Sequence, residues 1–144
     1  MIGRFLTATL ASSIIFGSAA ATEIPDLLGT WQVSAIGVRI QTDSGDSEHN
    51  VNHFDPLTGS YTLELVVTID QQDGVTFSGV KASSRAEEIV AGVIDFDGDG
   101  ATIIDHDGTT TCTLVTPDEM QCTYIEVNAE NSNLNRQVWT RDAD

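Results

Sequence analysis

Apolar and polar residues alternate one for one over residues 61–70. Tyr61, Leu63, Leu65, Val67 and Ile69 share one parity; Thr62, Glu64, Thr68 and Asp70 share the other, and Val66 alone breaks the pattern. Successive side chains of an extended chain point to opposite faces, so this period of two marks a strand with one buried and one wet face. Gln71-Gln72-Asp73-Gly74 follows, a turn with a glycine available for positive φ, and residues 75–81 return as the partner strand. The same reading predicts strands over 89–95 and 101–105, joined by Phe96-Asp97-Gly98-Asp99-Gly100. Further strands are predicted over 109–116 after His106-Asp107-Gly108, over 120–127 after Pro117-Asp118-Glu119, and over 136–141. With residues 30–40 the count is eight. No segment has a helical period, and none repeats another.

Two features qualify the pattern. In the first strand Trp31 and Val33 share one parity, whereas Ile36, Val38 and Ile40 share the other. If apolar side chains face inward throughout, a β-bulge near Ala35 must switch the face. Residues 41–60 and 128–134 are polar and read as loops, the first long enough to be either a lid over one end of the fold or a disordered stretch. Eight short antiparallel strands in a chain of this size predict an all-β fold, an up-and-down barrel that closes on itself and leaves no free edge.

Residues 1–21 read as an export signal. Arg4 precedes a mostly apolar run over 5–16, and Gly17-Ser18-Ala19-Ala20-Ala21 supplies the small residues a signal peptidase requires, with cleavage after Ala20 or Ala21. Thr7, Thr9, Ser12 and Ser13 interrupt the run, which therefore falls short of the roughly 20 apolar residues of a membrane anchor. The expected product is one domain, residues 22–144, in the periplasm or secreted. The whole chain carries 22 acidic and 6 basic residues, net −16; without Arg4 the balance is 22 against 5, or −17. Such a charge repels nucleic acid and anionic membrane surfaces and permits cationic partners.

The two ends of the barrel carry a family resemblance. Gly29-Thr30-Trp31 on the first strand, with Arg141 on the last, resembles the calycin superfamily of lipocalins, fatty-acid-binding proteins and avidins. The resemblance implies that Arg141 packs across Trp31 to close the barrel bottom, with Trp139 on the same strand face as Arg141. It also implies a small, partly apolar ligand in the interior, for which Trp31, Tyr61, Phe77 and Tyr124 are the candidate contacts. Some exported bacterial metalloprotease inhibitors are small barrels of the same kind. In that alternative the barrel is solid, and residues 21–28 enter the cleft of a partner protein.

Cys112 and Cys122 are equidistant from Pro117 and share strand parity, so a three- or five-residue loop places them opposite each other. In an exported protein such a pair is expected to form a disulfide. Asp95, Asp97 and Asp99 with Gly100 match the first half of a calcium loop, but His106 stands where the bidentate glutamate belongs and the flanks are strands. An Asp/Gly hairpin turn explains the same letters, with weak Ca²⁺ binding at Asp95, Asp97 and Asp99, aided by Asp105 or Asp107, as the other reading. His49 and His53, near Glu48 and Asp55, suit a transition metal only if their loop makes a helical turn. No Gly-x-Ser-x-Gly, His-Glu-x-x-His or phosphate-cradling loop is present, so the expected protein is not an enzyme and needs no cofactor.

Overall fold

The computed structural model describes residues 23–41, 51–55, 58–128 and 131–143. The export signal and His49 lie outside the described residues. The strands are β1 (Gly29–Gln41), β2 (Val51–Asp55), β3 (Ser60–Asp73), β4 (Thr76–Ala82), β5 (Glu87–Ile94), β6 (Gly100–Ile104), β7 (Gly108–Thr116), β8 (Glu119–Val127) and β9 (Asn131–Arg141). Every pairing is antiparallel, and the strands run in the order β1-β9-β8-β7-β6-β5-β4-β3, with β3 returning to pair with β1. That last pairing closes an eight-stranded up-and-down barrel. No helix occurs among the described residues.

β2 is a ninth strand outside the eight, within the stretch read as a long loop. It pairs with the first residues of β3, beyond the point where β4 ends. β9 also begins earlier than its polar sequence suggested, taking in Asn131 to Asn135. The expected bulge near Ala35 is absent: the register of β1 against both β3 and β9 runs unbroken. Ile36, Val38 and Ile40 instead point outward and are about half exposed or more. The expectation failed because the interior at that end of the barrel is polar, so the inward positions there are Gly37 and Arg39.

The opposite end is closed and dry. Trp31, Val33, Val67, Ile69, Met120 and the other large inward side chains are buried, with Leu27 inserted beneath them. Phe77 lays its ring over Gly92 on the neighbouring strand, where any Cβ would lie 2.3 Å from the ring. A guanidinium finishes the closure. Arg141 sits 4.6 Å from the centre of the Trp31 ring and donates hydrogen bonds to the carbonyls of Asp26, Leu28 and Pro117. The Trp31 indole donates to the Leu27 carbonyl at 3.0 Å.

Cys112 and Cys122 face each other across β7 and β8 and are joined by a disulfide. The turn between them is tighter than expected, because Thr116 pairs with Glu119 around Pro117-Asp118, and a register shift at Val115 then brings 112 opposite 122. The bridge closes a segment with a sequence separation of 10. Replacing both cysteines by alanine should therefore cost about 2–3 kcal/mol through the freed chain entropy of the unfolded state. Urea melts of the oxidised protein and the double variant measure this difference. Two alkylatable thiols in the non-reduced native protein would remove its basis.

Candidate functional site

The open end of the barrel holds a cup whose lining changes character with depth. Its floor is Leu63, Leu65, Val90, Ile103 and Trp139; its wall carries Tyr61 and Tyr124; its rim carries Arg39, Lys81, Asp105 and Glu126. The residual cavity is about 40 Å³. A buried water needs about 10–15 Å³ of such space, so the cavity has room for on the order of three waters.

A ladder of side chains on the inner face of β9 builds one wall. Trp139 donates its indole N–H to Gln137 (2.6 Å), Gln137 donates to Asn135 (2.9 Å), and Asn135 donates to the Tyr61 hydroxyl (2.9 Å). Each of these residues is buried, and each amide serves as donor and acceptor in turn, which is how polar groups are accommodated inside a barrel. Nearer the rim, Asn133 donates to Glu126 and accepts from the Arg39 guanidinium at 2.6 Å, while Asn128 donates to Glu126 at 2.6 Å. Arg39 also lies 5.1 Å from the centre of the Tyr61 ring.

The other wall is ionic. The buried Lys81 ammonium bridges Glu88 (2.6 Å) and Asp105, and sits 5.4 Å from the centre of the Tyr124 ring. Burial opposes the ammonium, yet its hydrogen bonds to Asp105 and Glu88 prevail and hold Lys81 above the ordinary lysine range. Burial likewise works against the Asp105 carboxylate. Lys81 and the backbone N–H groups of Gly108 and Asp107 outweigh it and hold Asp105 below the usual carboxylate range. Asp107 accepts from the Tyr124 hydroxyl at 3.0 Å. Burial and the fields of Asp105 and Glu88 nevertheless push Asp107 up. Burial also raises Glu126 and, more strongly, Tyr124, which Asp105, Asp107 and Glu126 surround with negative charge.

The residues singled out from the sequence divide between the two ends. Tyr61 and Tyr124 line the cup. Trp31 and Phe77 do not; they belong to the packed closed half, so inward-facing aromatic character alone was a poor guide to the site. Trp139 joins the two halves, its ring on the floor of the cup. Asp95, Asp97 and Asp99 lie on the hairpin between β5 and β6, at the closed end. There Gly98 adopts a φ of 74°, and the Asp95 N–H donates to the Gly100 carbonyl. A hydrogen bond that Asp99 donates to Asp97 when protonated, with the charge of Asp97, raises Asp99 above its ordinary carboxylate value. Among the described residues, the acid groups whose oxygens gather within 4.8 Å are Glu88, Asp105 and Asp107, none of which belongs to that turn. His53 falls on β2, opposite Thr62.

The segment expected to enter a partner is tied to the barrel over its last residues. Gln72 donates to the Pro25 carbonyl and accepts from the Leu27 N–H, Arg141 holds the Asp26 and Leu28 carbonyls, and Leu27 is fully buried. Sequence reading passed over Lys81, Glu126, Asn133, Asn135 and Gln137, and took Asp105 only as an aid to calcium at the Asp95–Gly100 hairpin. Strand parity counted from Phe77, Ile103, Cys122 and Trp139 places all six on the inner face.

The architecture is that of a calycin-like barrel: eight antiparallel strands in sequence order, closed on themselves, with one end plugged and one open. No family model matches the chain, and no curated protein matches it. Among solved structures, the S-type phycobiliprotein lyase CPES from Guillardia theta is similar over 82% of this chain and 89% of its own, at 10% identity and a TM-score of 0.38. A likeness at that level assigns neither family nor activity. No helix among the described residues is long and apolar enough to cross a membrane.

Proposed function

We propose that this protein is an exported, non-enzymatic barrel that binds a small, partly apolar molecule at its open end. The observation that carries the reading is the graded cup: an apolar floor, two tyrosines in the wall and a charged rim, above a closed half filled by buried apolar side chains. Pockets for small molecules combine mostly apolar walls with a few placed polar groups in this way. The volume sets the class of ligand. A cavity of about 40 Å³ takes a group of a few heavy atoms, with the rest of the molecule in the mouth between Arg39 and Lys81. A haem or a long acyl chain does not fit unless the rim opens. Two cations, Arg39 and Lys81, face four carboxyl groups, Glu88, Asp105, Asp107 and Glu126, in or directly behind the rim. That balance favours a ligand whose polar end is an amine. The disulfide and the signal read in residues 1–21 support export.

Trp139 on the floor of the cup is a built-in reporter. Short alkyl and aryl amines should quench or shift tryptophan emission and raise the melting temperature, and haem and long-chain fatty acids should do neither. A flat response to the whole panel would end the small-ligand reading. A protein partner would then be the better account of a nearly solid barrel.

A further inference from the structure

The outer surface of β1, β9, β8 and β7 carries little charge for so acidic a protein. Its cross-strand rows are Ile40–Ser132–Val127, Val38–Leu134–Ile125–Thr109, Ile36–Arg136–Thr123–Thr111 and Ser34–Val138–Gln121–Thr113. Those fifteen positions contain no carboxylate and one cation, in a chain with 22 acidic residues. The second row places Val38, Leu134 and Ile125 side by side, each about half exposed, and Ile36, Ile40 and Val127 surround them with 63–74% of their surface open. A shallow concavity lined by Ile36, Val115, Val138 and Arg136, among others, runs across the same strands. Barrel closure leaves β1, β9, β8 and β7 no unpaired edge, so their contacts with other molecules are face-on.

We infer that this face binds a second copy of the chain. The argument rests on charge and area. Two molecules of net charge −16 repel wherever their carboxylates meet, and this is a face that two copies can present to each other without bringing acids together. An isologous pairing sets the apolar row of one copy against that of the other, and twisted sheets stack face to face in aligned or crossed orientation. Four strands about 4.8 Å apart and roughly 25 Å long give on the order of 500 Å² in projection. Side-chain relief brings the accessible area of such a face toward the roughly 800 Å² per partner of a standard interface. A contiguous apolar patch of this kind on a soluble protein marks an interaction site.

The charge argument makes the test specific. Residual repulsion lies in the acids outside the contact and is screened by salt, so dimerisation should strengthen as ionic strength rises. An interface made of ion pairs would weaken. Sedimentation velocity of the oxidised mature protein, across concentration and from low to molar salt, should show a monomer–dimer equilibrium moving toward dimer. Leu134→Glu, at the centre of the face, should weaken the dimer by at least about 100-fold. Ile89→Glu, an exposed apolar position on β5 across the barrel, should leave it unchanged. Ile125→Thr, which keeps a β-branched residue in its strand, is the second variant, and equal melting temperatures certify both. A monomer under every condition overturns the inference, as does a dimer that salt weakens or that neither Leu134→Glu nor Ile125→Thr disturbs.

Discussion

Replacing Trp31 by alanine should lower stability by about 3–5 kcal/mol, the largest loss expected from any single truncation in this core. The indole is fully buried, and it is where three separate closures meet. Its ring packs under Arg141, its N–H satisfies the Leu27 carbonyl, and its strand pairs with both β3 and β9 to complete the cylinder. Truncation leaves a cavity beneath the guanidinium and orphans a buried carbonyl. Removal of the cation alone, as in Arg141→Met, should cost less, because a cation over an aromatic face contributes only about 0.5–2 kcal/mol. Part of the aliphatic packing also survives in methionine. Urea melts of the two variants should therefore rank Trp31→Ala well below Arg141→Met. Equal losses would mean that the guanidinium, with its hydrogen bonds to Asp26, Leu28 and Pro117, holds this end together and the indole merely fills it.

The fold was legible in the sequence wherever apolar alternation coincided with the inner face. Residues 61–70 alternate at every position but Val66 because their inward positions lie on dry ground for most of the strand, and the cysteines were readable because parity and a central proline fix their opposition. The cup was not legible, for a physical reason. A period of two states which residues share a face, but only the assumption that apolar means inside says which face that is. At the open end the assumption inverts. Asn135 and Gln137 point inward and bond each other, and Asn133 points inward to Glu126 and Arg39, while Leu134 and Val138 on the same strand point to solvent. Read by polarity, residues 128–134 look like a loop and Ile36 looks like the far side of a bulge. Read by parity from buried Trp139 and Trp31, both strands run on without interruption. The inverted stretches of β1, β8 and β9 are also neighbours. The polar cup inside and the apolar face outside are thus two sides of the same sheet.

Lys81 gives the second large effect. Its buried ammonium bridges Glu88 and Asp105, and Asp105 in turn organises the turn at Asp107-Gly108 through two backbone N–H groups. Lys81→Met preserves most of the side-chain volume but leaves two carboxyl groups facing each other without a counter-charge. Breaking a buried ionic group in this way costs about 3–5 kcal/mol, chiefly as the penalty on the charges left behind. The pH dependence separates that penalty from lost packing. In the wild type, Asp105 is held below its ordinary pKa of 3.8, so its contribution is intact at neutral pH and disappears only as pH falls through its folded value. Lys81, held above 10.5, contributes until pH rises through its own folded value. In the variant the sign reverses for the acids: protonation relieves their repulsion, so the deficit against wild type should shrink as the solution becomes mildly acidic. Adding Glu88→Gln and Asp105→Asn to Lys81→Met should recover much of the loss at neutral pH, since the two carboxylates that the ammonium bridged are then neutral. Urea melts at neutral and mildly acidic pH decide between the causes. A deficit that stays constant with pH, and that the triple variant does not repair, would assign the loss to the packing of the lysine stem against Tyr124 rather than to its charge.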